Sequence, residues 1–118
     1  MKPGSTEVIW GLRTDSPFYF SSKFNIENKT ITIRGSQTTH DHLSPIKYSI
    51  VKLSKFGLSI EYFDSVIFYG NHSEKELAYT FTVPNGTGYQ LEIFNYCSFH
   101  STGKIWIGKN EDLSKKIS

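Results

Sequence analysis

Turn signals punctuate this chain about every 8 to 15 residues, and what lies between them alternates apolar with polar in short runs. The clearest run is LAYTFTVP, which sets Tyr79, Phe81 and Val83 on one face and Thr80 and Thr82 on the other. FNIENKTITIRG does the same around a turn, with Phe24, Ile26, Ile31 and Ile33 facing in and Thr30, Thr32 and Arg34 facing out. A period of two over so short a run suits a half-buried strand, and repetition along the chain suits a sandwich or barrel. Residue choice agrees. Twelve Ile, four Val, ten Thr, nine Phe, seven Tyr and two Trp stand against a single Ala, Ala78. Branched and ring side chains fit a pleated surface and gain little from a helix.

The strands are read as Val8 to Leu12 with Gly11 as a bulge, Phe18 to Phe20, and the pair around ENK. Next come IKYSIVKLS, then LSIEYF and SVIFYG as a pair, LAYTFTVP, and two closing strands. In IKYSIVKLS the apolar positions change phase between Ile50 and Val51, which requires a bulge or a corner. NGTG is the strongest hairpin signal, since Asn and Gly tolerate positive φ. A last hairpin centred on Phe99 pairs Ile93 with Ile105 and Leu91 with Ile107 inside, leaving Glu92, Phe94, Lys104 and Trp106 outside. Tyr19 is expected to face outward between core-facing Phe18 and Phe20. The expectation is an all-β, two-layer antiparallel β-sandwich of eight or nine strands, of jelly-roll or Greek-key type. It forms one domain over residues 1–109, with a polar tail over 110–118.

The run FTVPNGTGYQLEIFNYCSFHSTGKIWI resembles the closing strands of secreted bacterial β-sandwich accessory domains of the prepeptidase C-terminal type. FNIENKTITIRGSQTT is similar to their early Thr-rich strand. The resemblance implies a secreted bacterial sandwich and names no ligand. The acidic calcium-binding loops of that scheme have no counterpart here.

Several chemistries lack their residues. A formal net charge of +2, with only Arg13 and Arg34 able to form bidentate forks, gives no basic stripe for nucleic acid. Cys97 lies three residues from His100, yet both fall at a hairpin tip where a nucleophile would have neither pocket nor electropositive surroundings. One cysteine allows no internal disulfide. His40, Asp41 and His42 form the one short metal-like cluster, short of a full ligand set unless a residue such as His72 joins it. No cofactor is implied, and GxSxG and HExxH are missing, so the expectation is a protein that is not an enzyme.

The outward aromatics carry the functional expectation. Phe94 and Trp106, with Glu92 and Lys104 beside them and Tyr19 and Tyr69 as further candidates, form a surface for stacking on sugars or anchoring a partner. The alternative for Trp106 is burial under a loop or the N-terminal segment. The chain is therefore read as a secreted bacterial binding protein for an extracellular polysaccharide or cell-surface partner, its signal peptide removed. The competing readings are a membrane-active toxin in peripheral contact with anionic lipid, and an inhibitor or interaction protein that adds an edge strand to a partner's sheet. No run is apolar for the roughly 18 residues of a membrane helix.

Overall fold

The computed structural model describes residues 5–12, 16–54, 56–96 and 99–108, with the side chains of 5, 6 and 74–76 left aside. Among them run nine strands and no helix: β1 (Ser5–Leu12), β2 (Phe18–Phe20), β3 (Phe24–Ile26), β4 (Thr30–Thr38), β5 (Pro45–Leu53), β6 (Ile60–Tyr69), β7 (His72–Thr82), β8 (Gly86–Asn95) and β9 (Ser101–Gly108). One antiparallel sheet has the order β1-β9-β4-β7, and the other β2-β8-β5-β6 with β3 also on β8. The chain switches sheets at almost every connection, which is the jelly-roll arrangement of a β-sandwich. No helix among the described residues is long and apolar enough to cross a membrane.

The period-two pattern explains which side of each strand is buried. Val8, Trp10 and Leu12 of β1, Ile31 and Ile33 of β4, and Ile105 and Ile107 of β9 face the core from the first sheet. Tyr89, Leu91 and Ile93 of β8 meet them with Ile46, Tyr48 and Ile50 of β5 from the second. Each such side chain removed from water contributes about 1.5–3 kcal/mol, and both sheets gain only if they pack face to face. Across the gap Trp10 meets Tyr48 edge-on at 6.3 Å. Buried Gln37 tethers one corner. It accepts a hydrogen bond from the Tyr48 hydroxyl (2.8 Å) and donates to the carbonyls of Phe68 (3.1 Å) and Gly70 (2.7 Å), where the chain leaves β6 for β7.

Several expected pairings do not form. β8 and β9 lie in different sheets, so the hairpin pairing Ile93 with Ile105 is replaced by Ile93 opposite Tyr48 and Tyr19, and Ile105 opposite Val8 and Gly35. Both isoleucines are fully buried, because a one-sided strand is satisfied equally by either facing sheet. Residues 96–100 are enough chain to span the roughly 10 Å between packed sheets. NGTG behaves likewise. Among its glycines only Gly88 has positive φ (76°), so Asn85–Gly86 is no tight hairpin turn. Instead the Asn85 side chain accepts from the Lys29 amide (2.6 Å), and the Val83 amide donates to the Lys29 carbonyl (2.9 Å), joining two sheet-crossing loops.

The ENK pair is also split, β3 going to β8 and β4 to β7 and β9. LSIEYF and SVIFYG merge into the single strand β6, which pairs with β5; these are the consecutive strands that do form a hairpin among the described residues. The ladder of β1 runs through Gly11 without a register shift, so no bulge lies there. The phase change in β5 is where a bulge was expected: its register with β6 shifts between Ile50 and Val51. The tail over 110–118 lies outside the described residues.

Candidate functional site

The outer face of the second sheet carries the richest group of exposed side chains. On β8, Glu92 and Phe94 point away from the core, since Leu91 and Ile93 point into it. The register sets Phe18 against Phe94 and Phe20 against Glu92. Phe18 and Phe20 therefore share that outer face, and the expectation that they face the core with Tyr19 outward is corrected. On the other flank of β8, Lys47 lies opposite Phe94 and Ser49 opposite Glu92. Ser49 and Ser65 are small and hydrogen-bond each other (2.8 Å), so the rings around them stand above a low floor.

The result is an open cleft of about 360 Å³ lined by Phe18, Phe94, Tyr96, Tyr62, Ile60, Lys47 and Glu92. Rings along this face form a continuous strip that runs from Phe20, beside the cleft, into it, with Phe20 and Phe18 at 5.9 Å, Phe18 and Phe94 at 6.1 Å, and Phe94 and Tyr96 at 4.5 Å. Lys47 Nζ sits over Tyr62 (5.1 Å) and Tyr96 (5.8 Å), which holds the ammonium beside the rings.

Glu92 is the unusual member. Its side chain is only 4% exposed although it lines a cleft. Oε2 accepts a hydrogen bond from the Tyr62 hydroxyl (3.2 Å), while buried Oε1 has no partner. Desolvation first, then the hydrogen bond and charge of Glu92, raise the Tyr62 phenol above its usual value, so it remains a donor to the carboxylate. A buried carboxylate with spare acceptor sites asks for further hydrogen-bond donors.

The other candidates lie elsewhere. Lys104 and Trp106 are on β9, in the first sheet, and face out from the opposite side of the sandwich, so the four residues grouped from the sequence do not form one site. Trp106 is only 8% exposed there, flanked by Glu7 and Arg34 in the register and covered by Lys104, whose Nζ lies 5.6 Å from its ring and 3.9 Å from Glu7 Oε2. Tyr19 and Tyr69 are exposed but do not line the cleft.

Among the described residues no three His, Cys, Asp or Glu side chains gather where they could hold a metal ion. The His40 ring stacks on Phe99 at 3.8 Å. Asp41 Oδ1 accepts from the Leu43 amide (2.8 Å) and the Ser44 hydroxyl (3.2 Å), and that backbone bond foremost holds its carboxyl below the ordinary value. His42 is exposed, and His72 Nε2 is bonded to the Tyr69 carbonyl (2.9 Å). Cys97 lies outside the described residues, and His100 is exposed.

Sequence reasoning found Phe94 and Glu92 but missed Phe18, Tyr62, Tyr96, Lys47 and Ile60. Their common face depends on which strands flank β8. The local hints are the i, i+2 spacing of Phe94 and Tyr96 and the alternation of Ile46, Tyr48 and Ile50 in β5, which leaves Lys47 on the outer face.

No family model matches the chain, and no curated protein is similar to it. Solved structures are similar in fold. PirA aligns with a TM-score of 0.51 at 10% identity, covering 92% of this chain and 94% of its own. The Yersinia pseudotuberculosis-derived mitogen aligns at 0.52 and 9% identity, covering 94% and 90%. The C-terminal CBM6 of LamC, a marine laminarinase from Zobellia galactanivorans, aligns at 0.47 and 10% identity, covering 86% and 100%. At such identities the likeness concerns the β-sandwich alone.

Proposed function

We propose that this protein is a non-enzymatic binding module whose cleft on the β2-β8-β5-β6 sheet takes an uncharged glycan. The observation that carries this is Glu92, a nearly buried carboxylate with one oxygen unpartnered at the floor of an aromatic-lined cleft. Pyranose rings present apolar C–H faces that stack on Phe18, Phe94 and Tyr96, and edge hydroxyls that donate to a carboxylate. Both charge signs argue for a neutral ligand. Glu92 disfavours an anion, and Lys47 disfavours a cation.

Binding rather than hydrolysis is supported by the count of acids. Cleavage of a glycosidic bond uses two carboxyl groups about 5–10 Å apart, whereas the described lining contains one. The reading takes the protein to act outside a bacterial cell, where such polymers are met; recovering it from culture medium with an antibody tests that part.

Calorimetric titration with soluble glucan, xylan and galactan, alongside polygalacturonate and chitosan, tests the ligand class. A neutral polymer should bind, and Phe94→Ala should weaken it about tenfold or more, while Trp106→Phe on the opposite face leaves it unchanged. Failure of every neutral glycan, or preference for a charged one, rejects the proposal. Both tryptophans are buried and neither lines the cleft, so intrinsic Trp emission should respond little to the ligand.

A further inference from the structure

The ring strip on the outer face of the second sheet outruns the cleft. Phe20 belongs to the strip but not to the cleft lining, and it stands half-buried beside Phe18 with the ring centroids 5.9 Å apart. The strip follows the strands. Phe20 and Phe18 are two residues apart on β2, Phe94 and Tyr96 are two apart at the end of β8 and just past it, and the register sets Phe18 against Phe94 and Phe20 against Glu92. From Phe20 to Tyr96 the rings therefore advance in one direction along the β2–β8 pair, in steps of 5.9, 6.1 and 4.5 Å. Each step is close to the length of one pyranose residue in an extended chain.

Unused acceptors accompany the strip at its Phe20 end. Glu92 lies opposite Phe20 with Oε1 buried and without a partner. Gln90, two residues earlier on the same face of β8, donates from Nε2 to the Ser21 carbonyl (2.7 Å). A carbonyl only accepts, so the amide nitrogen faces it, and Gln90 Oε1 is left buried with no donor. A ring with two such acceptors beside it suits a sugar, whose C–H face stacks and whose edge hydroxyls donate. Beyond Phe20 the next residue of the same parity is Ser22, which is exposed and too small to wall the strip off. A terminal sugar calls for a closed end, whereas a strip that continues past its cleft suits the interior of a chain. The ring planes add a second constraint. Successive rings are turned by 81°, 32° and 80°, so they share no common plane. Chains locked flat in a crystalline sheet cannot stack on all of them, but a single free chain can turn each sugar to its ring.

We propose that Phe20, with Glu92 and Gln90, forms an outlying subsite of the glycan cleft, and that the ligand is an interior run of about four sugars of a soluble neutral chain laid along β2 and β8 from Phe20 to Tyr96. This rests on the glycan reading of the cleft and adds to it a length and a form of chain.

The test is calorimetric titration of the full chain with β-linked gluco-, xylo- and galacto-oligosaccharides, each from disaccharide to hexasaccharide. In the series that binds, wild-type affinity should rise with every added sugar up to the tetrasaccharide and then level. Phe20→Ala should weaken the tetrasaccharide about fivefold or more and leave the disaccharide unchanged, while Phe94→Ala weakens both. Phe20→Trp keeps a stacking ring, so it should hold the tetrasaccharide as the wild type does, and its emission should respond to the tetrasaccharide and not to the disaccharide. Affinity that stops rising at the disaccharide, or a Phe20→Ala effect that is absent or equal at every length, overturns the subsite and leaves the glycan reading standing. Tighter binding to microcrystalline cellulose than to soluble cellohexaose overturns the form of chain in the same way. Absence of binding in every series overturns the glycan reading and the subsite with it.

Discussion

Replacing Glu92 with Met should make the free protein more stable and the glycan complex weaker. In the folded chain the carboxylate is 4% exposed, keeps one hydrogen bond at 3.2 Å from Tyr62, and leaves Oε1 without a partner. Lys47 lies over the Tyr62 and Tyr96 rings and forms no ion pair with it within 4.0 Å. Withdrawing an ionised carboxylate from water costs several kcal/mol, against which a hydrogen bond to a charged group returns about 1.5–3 kcal/mol. Tyr62 is half exposed, so its hydroxyl turns to water when the carboxylate is removed and loses little. Met occupies a similar volume without a charge. The balance is a gain of about 1–3 kcal/mol, which at about 4–8 °C per kcal/mol raises the melting midpoint by roughly 5–20 °C. Urea unfolding of both proteins at neutral pH measures it. The glycan loses a charged acceptor, so affinity should fall about tenfold to a hundredfold. A lower unfolding midpoint for Glu92→Met would refute the reasoning, for it would mean that the carboxylate serves the fold.

Two further outcomes follow from the core. Gly35→Ala should destabilise by about 2 kcal/mol or more, read as a melting point lower by roughly 10 °C, because its Cβ would overlap the Lys104 carbonyl oxygen and lie 2.9 Å from Cα of Ile105, its partner on β9. Stability should also fall as pH rises above about 10, the ordinary phenol value. Burial raises the Tyr48 phenol well above that value in the folded state, so the unfolded chain ionises first and the stability present below pH 10 is lost through the window above it. Tyr48→Phe should flatten this alkaline limb in pH-dependent unfolding, at a cost of about 1–3 kcal/mol for the stranded Gln37 oxygen.

The inward face of the clearly alternating strands was legible in the residues, because alternation is a local property of a pleated strand that needs no knowledge of its neighbours. Ile31, Ile33, Leu91, Ile93, Ile105 and Ile107 follow from it, and so does the bulge in β5, where the alternation slips, whereas the unbroken apolar run Val8-Ile9-Trp10 of β1 does not show which side is buried. Phe18 and Phe20 show the limit. Their strand is three residues long and at the sheet edge, so two apolar side chains in it define no buried face.

Partnership among strands was decided only by the tertiary structure. Once both faces of the core are apolar, Ile93 and Ile105 gain the same burial in one sheet or in two facing sheets, and the local pattern cannot distinguish the two. That distinction placed Trp106 and Lys104 on one side of the sandwich and Phe94 and Glu92 on the other. It also brought Phe18, Lys47 and Tyr62, from three separate strands, around a carboxylate that sequence reasoning had grouped with Trp106 and Lys104. Alternation sets which side of a strand turns inward, while the loops that cross between sheets set which side chains meet on the outside.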